Sequence, residues 1–144
     1  MRTLVELADT EYSHLRHHKC LEHSLNAIEL ARRVDDPRAG VSARFFATGA
    51  QYNLGNLEES RRHAAAALVV AEKLRDSNWL QNALWRNEII ARLEGDWPAA
   101  RVFSDRGLAV HSTNLMLLET RVLLEYEAGD FGQGEAYLEQ LLES

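Results

Sequence analysis

The sequence predicts an all-α fold in which eight helices form four antiparallel hairpins, and three observations lead to this prediction. Apolar residues recur every three or four positions along nearly the whole chain, as in Leu21, Leu25 and Ile28. No segment alternates apolar and polar residues with the period of two that is typical of strands. Turn-forming residues such as Gly55-Asn56 and Gly95-Asp96 return at short, regular intervals. Loops this short make consecutive helices antiparallel neighbours.

Turn-forming segments set the boundaries of each helix in order. These segments are His17–Lys19, Asp35–Pro37, Gly55-Asn56, Asp76–Asn78, Gly95-Asp96, Ser112–Asn114 and Gly129-Asp130. The predicted helices between them span about residues 3–17, 19–34, 38–54, 57–75, 78–94, 97–110, 113–128 and 131–143. Taken in pairs, they form hairpins over about residues 3–34, 38–75, 78–110 and 113–143 of a single domain, 1–144.

The turns within the hairpins repeat along the chain. Gly55, Gly95 and Gly129 are separated by 40 and 34 residues, and a weaker copy of the turn lies 37 residues before Gly55, with His18 in the place of the glycine. Intervals of this length are typical of helical solenoids. One hairpin cannot bury its apolar face alone, so the repeat predicts a stack of four hairpins with a concave inner wall.

Each position of the repeated turn has a physical role. Glycine ends the first helix in a left-handed conformation, and the following Asn or Asp is expected to cap the second helix by accepting a backbone N–H bond. A large residue follows, and a small residue one turn later lets the two helices approach closely. The large residues are Leu57, Trp97 and Phe131, and the small ones are Ser60, Ala100 and Gly134.

These residues resemble the tetratricopeptide repeat over essentially the whole chain, most closely in residues 41–76 and 81–143. The segments GDWPAARVFSDRGLAV and LLEYEAGDFGQGEAYLEQLL are similar to the helical repeat regions of LuxR/MalT-type bacterial transcription regulators and related signalling ATPases. The chain departs from the repeat in its first turn, which lacks glycine, and in the missing closing proline of the second and third hairpins. The resemblance implies a right-handed α-α superhelix.

Members of this family bind peptides, partner domains or, in MalT-like regulators, a small inducer in a groove lined by the first helix of each hairpin. The resemblance implies a partner-binding groove formed by Tyr12, Arg16, Phe45, Tyr52, Asn53, Asn82, Trp85, Ile89, Arg92, Glu119 and Tyr126, with Leu15, Met116 and Leu123 beside them. Aromatic residues would supply affinity and the polar ones specificity. The alternative for each aromatic residue is a core position between adjacent hairpins.

Chaperone tails are not expected ligands of this groove. Co-chaperone members of the family clamp a C-terminal carboxylate with Lys and Asn side chains. The matching positions of this chain are occupied by Ala8, Tyr12, Phe45 and Gly49.

Composition and charge exclude several other classes of protein. The chain has 16 Lys and Arg against 22 Asp and Glu, and the whole net charge of −6 falls in the last 30 residues. Without a basic stripe, direct nucleic-acid binding is not predicted. The longest apolar run, Ala64–Ala71, is far shorter than the roughly 20 residues that a membrane span needs. The opening residues lack the apolar core of a signal peptide, so a cytoplasmic location is expected.

Catalytic motifs are missing from the sequence. It contains no phosphate-binding loop, no His-Glu-x-x-His and no nucleophile elbow, so neither an enzyme nor a bound cofactor is predicted. The residues His14, His17, His18, His23 and Cys20 crowd the first turn, and a metal site there is a remote alternative. A helix end near His17 would separate His14 from His18, which favours solvated turn residues. Cys20, aligned with Leu57, is expected to be a core residue.

The last predicted helix carries an apolar stripe without a polar capping helix after it. The stripe consists of Phe131, Tyr137, Leu138, Leu141 and Leu142. Solenoids need polar terminal caps. The first interpretation is a piece of a longer repeat array, and the second is an end face that pairs with a second copy or a partner.

Taken together, these observations predict a non-catalytic scaffold module that binds a protein or peptide, or another domain of a longer chain, in its groove. The alternative function is the ligand-sensing repeat region of a LuxR/MalT-type regulator, which would pass a signal to ATPase or DNA-binding parts.

Overall fold

The computed structural model describes all 144 residues, which form eight α-helices and no strand. The helices are α1 (Arg2–Ser13), α2 (His17–Arg33), α3 (Pro37–Asn53), α4 (Leu57–Leu74), α5 (Ser77–Leu93), α6 (Trp97–Val110), α7 (Leu115–Glu127) and α8 (Phe131–Glu143). The predicted all-α class is confirmed. None of the eight helices combines the length and the apolar character needed to cross a membrane.

The helices pack in chain order, with one additional set of contacts. Each helix contacts the one before it and the one after it, so that α1–α2, α3–α4, α5–α6 and α7–α8 are antiparallel pairs joined by short turns. In addition, α1 contacts α3, α3 contacts α5, and α5 contacts α7. The second helices α2, α4, α6 and α8 make no contacts with one another. The first helices of the pairs therefore form a continuous layer.

Small residues make this packing close. Ala8, Ala43, Ala47, Ala50 and Ala100 are completely buried, and seven other alanines along the chain are at most 5% exposed. A larger apolar cluster, built from Val41, Leu68, Ala71, Ala83 and Leu84, joins α3, α4 and α5 at the centre of the chain. Burial of apolar surface, at roughly 25 cal/mol per Å², is therefore distributed over several clusters along the chain instead of being concentrated in one core.

Three of the four turns within the pairs are the glycine turns that the repeat predicts. Gly55, Gly95 and Gly129 have φ values of +84°, +76° and +82°. Asp96 and Asp130 cap α6 and α8 by accepting the backbone N–H bonds of Ala99 and Gln133. The prediction that the Asn56 side chain caps α4 is wrong. This side chain accepts no backbone N–H bond, and its amide nitrogen donates instead to the Gln51 Oε1 at 2.9 Å.

The first turn lies three residues earlier than predicted. Helix α1 ends at Ser13, not near residue 17, and α2 begins at His17, not at residue 19. Leu15, not His18, takes the place of glycine, with a φ of +58°. The Leu15 N–H donates to the Tyr12 carbonyl and the Arg16 N–H to the Glu11 carbonyl, which is the bonding pattern of the glycine turns. The left-handed backbone conformation of Leu15 is strained, and favourable packing of the helices on either side of the turn compensates for this strain.

This shift also corrects the position of Cys20. His17 takes the place of Leu57, Trp97 and Phe131, and Cys20 takes the place of the small residues Ser60, Ala100 and Gly134. Cys20 is completely buried, and its sulfur lies 3.8 Å from the Phe46 carbonyl oxygen. The first two intervals of the repeat are thus both 40 residues, from Leu15 to Gly55 and from Gly55 to Gly95.

We expect Gly95→Val to lower the free energy of unfolding by at least about 2 kcal/mol, because a β-branched residue resists a positive φ. No atom lies within 4 Å of a Cβ built on Gly95, so the loss reports backbone strain alone. Gly95→Asn is the control and should cost clearly less, because Asn tolerates this conformation. Denaturant unfolding measures both variants. Equal stability of Gly95→Val and the wild type would contradict the assigned turn.

Candidate functional site

The site centres on Arg86, which lies on α5 and is only 1% exposed. It is the largest of the fully buried side chains. The sequence pattern does not predict a functional role for this residue, because a charged side chain on a helix ordinarily faces the solvent. A signal was nevertheless present. Residue 46, which stands 40 positions earlier and so has the same place in the repeat, is Phe, a residue type that favours an inward position.

Four aromatic rings from α1, α3 and α5 surround the guanidinium group. Its Cζ atom lies 4.0 Å from the ring centre of Phe45, 4.9 Å from that of Trp85, 5.3 Å from that of Tyr12 and 5.7 Å from that of Tyr52. The rings of Phe45 and Trp85 are stacked, with their centres 5.9 Å apart. Cation–π attraction within about 6 Å stabilises this arrangement. We call Arg86 and these four rings the arginine cage.

Within the cage, Arg86 has hydrogen-bond partners on only one of its nitrogens. Its Nη1 donates to the hydroxyl oxygen of Tyr52 at 2.9 Å and to that of Tyr12 at 3.4 Å. The two hydroxyl oxygens are 3.2 Å apart. The buried Nε has no partner, and no carboxylate pairs with the guanidinium. A buried positive charge therefore remains without an anion.

The charge of Arg86 acts on the two tyrosines in different ways. Burial opposes ionisation of Tyr12, but the Arg86 charge and the hydrogen bonds of the hydroxyl lower the pKa of Tyr12 below its ordinary value. For Tyr52, burial outweighs the attraction of Arg86 and raises its pKa. The pKa values of the two neighbouring tyrosines are thus shifted in opposite directions.

Gly49 makes room for the cage on α3. A Cβ atom built there would lie 2.6 Å from Cε2 of Tyr12 and 2.8 Å from Nη2 of Arg86, closer than atoms can approach without displacement. The side chains of the cage therefore occupy the space that any other residue type at position 49 would need. This close approach explains a glycine inside a helix, where it ordinarily costs stability.

We expect Gly49→Ala to lower the free energy of unfolding by about 1–3 kcal/mol, because the added methyl group displaces Tyr12 and Arg86. Gly40→Ala is the matched control, since it makes the same change in the same helix and its Cβ would meet only the Ala31 Cβ, at 3.8 Å. This control should gain stability from helix propensity. Denaturant unfolding of both variants gives the difference. Equal effects would contradict the tight cage.

The predicted groove residues have different environments in the structure. Tyr12, Phe45, Tyr52, Asn82, Trp85 and Arg92 are half-buried, Ile89 is buried, and Arg16, Asn53, Glu119 and Tyr126 are exposed. The structure brings Tyr12, Phe45, Tyr52 and Trp85 together around Arg86. Four of the other predicted groove residues have partners outside the cage. Arg16 forms an ion pair with Glu11, and Arg92 forms one with Glu127. The Tyr126 ring contacts Phe131, and the Asn53 amide donates a hydrogen bond to the Gly49 carbonyl. Of their predicted neighbours, Leu15, Met116 and Leu123 are exposed.

Helix α5 carries a second unusual buried group, Glu88, which is completely buried. Neither of its carboxylate oxygens has a hydrogen-bond partner. Burial raises the pKa of Glu88 to about 7, although the nearby Thr120 side chain and the charges of Arg92 and Arg121 oppose the shift. Five of the seven buried polar side-chain atoms without partners belong to α5, on Trp85, Arg86, Glu88 and Arg92. The unsatisfied polar groups are therefore concentrated on this helix.

The charges between α6 and α7, by contrast, are fully paired. The Glu125 carboxylate accepts two bonds from Arg101, at 3.0 and 2.7 Å, and one from Arg121, at 2.7 Å. Arg121 also donates to Asp105 at 2.6 Å and lies over the Tyr137 ring of α8. The hydrogen bond from Arg101 lowers the pKa of Glu125, burial opposes it, and Arg121 reinforces it. This network connects three helices and has a structural role.

No candidate metal-binding cluster accompanies the cage. No group of three or more His, Cys, Asp or Glu side chains is placed to hold a metal ion. His14 lies in the turn after α1, with its Nδ1 2.7 Å from the Thr10 carbonyl oxygen, and His18 lies in the first turn of α2. Four of the surface hollows have volumes of about 220–280 Å³, and none of these four is lined by a cage residue.

Comparisons with known proteins identify no family for this chain. No family model matches it, and no curated protein matches it either.

Proposed function

We propose that this chain is a non-catalytic binding module whose four hairpins stack as a tetratricopeptide-like α-α superhelix, with the partner-binding face on the first helices. The packing supports this arrangement, because α1, α3, α5 and α7 contact one another in sequence while the second helices do not. In a curved stack, the elements on the concave side lie closer together than those on the convex side. By this argument the first helices line the concave face.

The repeated turn is the second support for a stack of equivalent hairpins. Leu15, Gly55, Gly95 and Gly129 all have positive φ values, and the residue after each donates the same type of backbone hydrogen bond to the helix before it. Cys20, Ser60, Ala100 and Gly134 are buried at the same distance beyond the turn. Equivalent turns give equivalent hairpins, which are the units that repeat proteins stack.

The arginine cage is the observation that carries the binding function. Tyr12, Phe45, Tyr52 and Trp85 come from three successive first helices, remain half-buried, and converge on one place of the proposed face. Aromatic and arginine side chains dominate the binding energy of protein interfaces. We propose that the partner is a segment of another protein, or of another part of a longer chain, that places an apolar side chain against these rings.

The experiment that tests this function is the selection of peptides from a random library displayed on phage, followed by affinity measurements on two variants. Trp85→Leu removes a ring of the cage. Trp97→Leu makes the same change at a half-buried tryptophan in the second helix α6, away from the cage. We expect the selected peptides to bind Trp85→Leu at least about tenfold more weakly than the wild type, and Trp97→Leu with nearly unchanged affinity.

Two results would overturn the proposal. The first is a selection that enriches no peptide above the background of an unrelated helical protein. The second is a set of peptides whose affinity responds to Trp97→Leu as strongly as to Trp85→Leu, since the partner would then not use the face formed by the first helices. Circular dichroism of both variants checks that the helices remain intact.

A further inference from the structure

We propose that Arg86 is an anion-binding residue and that it takes the carboxylate of a glutamate side chain in the partner segment. This inference rests on the proposed function and deepens it by naming the polar group of the ligand. It starts from the only deeply buried guanidinium of the chain that lacks a carboxylate, whereas the buried Arg121 has two, on Asp105 and Glu125.

A buried charge without a counter-ion is unfavourable, and folded proteins ordinarily pair it. The aromatic rings and the two tyrosine hydroxyls compensate part of this cost for Arg86. They carry no net negative charge, so the attraction for an anion persists in the cage. A ligand carboxylate would supply the missing charge, and the binding energy would include relief of this cost.

One edge of the guanidinium makes no hydrogen bond, although its Nη2 packs against Gly49, and this edge would select a carboxylate among anions. Nη1 is used by Tyr12 and Tyr52, whereas Nε has no partner and Nη2 makes no hydrogen bond. The edge formed by Nε and Nη2 matches the two oxygens of a carboxylate. Arg101 uses this same edge on Glu125, at 3.0 and 2.7 Å, and Arg32 uses it on Glu29, at 3.1 and 2.9 Å.

The depth of Arg86 selects a carboxylate on a flexible stem. The guanidinium lies below rings that are themselves half-buried, so an anion must pass between them to reach it. The two methylene groups of a glutamate side chain provide such a stem, while a main-chain carboxylate brings the bulk of its own residue to the rings. Trp85 and Phe45 are the rings suited to give way, because neither side chain makes a hydrogen bond, whereas the hydroxyls of Tyr12 and Tyr52 are bonded to Arg86.

The test uses isotope-labelled protein and three small probes at equal ionic strength, with nuclear magnetic resonance of the Arg86 Nε–H and Trp85 Nε1–H signals. N-acetyl-glutamic acid α-amide carries its only carboxylate on the side chain. N-acetyl-glutamine amide is its uncharged counterpart, and N-acetyl-leucine carries a main-chain carboxylate. We expect the glutamate probe to shift both signals saturably at millimolar concentration, the glutamine probe to shift neither, and N-acetyl-leucine to bind more weakly.

Two variants assign the effect to Arg86. Arg86→Met should weaken the glutamate probe at least about tenfold, read on the Trp85 signal, because the charged hydrogen bonds are lost. Arg44→Met is the matched control, since Arg44 is half-buried, has no carboxylate partner, and contacts His63 at 3.2 Å. That variant should bind the probe as the wild type does. If Arg86→Met fails to fold, the comparison of the charged and uncharged probes on the wild type still decides the question.

Equal shifts with the glutamate and glutamine probes, or no shift of the Arg86 signal, would overturn the carboxylate inference. Tighter binding of N-acetyl-leucine would overturn the assignment to a side chain. These failures are distinct from a failure of the proposed function. If the selected peptides depend on Trp85 but the glutamate probe does not bind, the chain is a binding module without an anion site. If the selection fails but the glutamate probe binds, the anion site exists and the proposed peptide-binding function is wrong.

Discussion

Glu125→Gln should lower the free energy of unfolding by about 3 kcal/mol near neutral pH, because it removes the buried one of the two carboxylates that pair with the Arg121 guanidinium and leaves only the exposed Asp105. Glu125 and the side chain of Arg121 are 1% and 7% exposed, and their ion pair is 2.7 Å long. Neutral Gln can accept a bond from only one oxygen, while Glu125 now accepts three bonds from two arginines. Denaturant unfolding measures the loss.

Glu58→Gln is the matched control for this loss. Glu58 pairs with Arg62 at 2.8 Å, but both side chains are about two-thirds exposed, at 67% and 65%. Solvent screening reduces such pairs to a few tenths of a kcal/mol, so this variant should unfold almost as the wild type does. Similar losses for the two variants would contradict a structural role of the Glu125 network.

The same network predicts a dependence on pH. Arg101 and Arg121 hold the pKa of Glu125 below its ordinary value of 4.5. The unfolded state therefore binds this proton first as the pH falls, and the stabilisation by Glu125 is present above about pH 4.5 and is lost as the pH falls through the lower, folded pKa. The difference between Glu125→Gln and the wild type should shrink over this acidic range.

The sequence predicts the helices of this protein better than its first turn. Gly55, Gly95 and Gly129 are recognisable, because glycine is the residue that a left-handed turn favours. Leu15 adopts the same conformation without any such signal. Its strain is compensated by the packing of α1 on α2 and α3, which involves residues distant in sequence. A local pattern does not contain that information, so the predicted turn fell on the polar residues nearby.

At the candidate site, too, the local sequence pattern predicts some features and misses others. The prediction places Tyr12, Phe45, Tyr52 and Trp85 on the first helices, which the repeat pattern is sufficient to do. It misses Arg86, since the burial of an arginine depends on the rings that α1 and α3 bring to it. The 40-residue interval from Gly55 to Gly95 also relates Arg86 to Phe46 and so marks the position as inward, but a charged side chain on a helix ordinarily faces the solvent.

Glu88→Gln should change the free energy of unfolding in the opposite direction to Glu125→Gln, raising it above neutral pH. Burial raises the pKa of Glu88 from 4.5 to about 7. Below about pH 4.5 the carboxyl group is protonated in both states and contributes nothing to the pH dependence. Between these values the unfolded state loses the proton while the folded state keeps it, so the stability of the wild type falls as the pH rises.

The size of this effect follows from the shift. At about 1.4 kcal/mol per pKa unit, keeping Glu88 buried costs the wild type about 3 kcal/mol above pH 7, and the uncharged Gln removes that cost. Chemical unfolding at about pH 4.5 and about pH 8 should therefore show almost no gain at the lower pH and a gain of up to about 3 kcal/mol at the higher one.

Glu22→Gln provides the control for Glu88→Gln, because Glu22 is exposed on α2 and has no ion-pair partner. It should change stability by less than about 0.5 kcal/mol at both pH values. An equal gain for Glu88→Gln at both pH values would mean that packing, not the charge, limits stability at this position. A loss at the higher pH would mean that ionised Glu88 is held by Arg92 and Arg121. The sign at high pH thus decides whether Glu88 is a buried neutral acid or half of an ion pair.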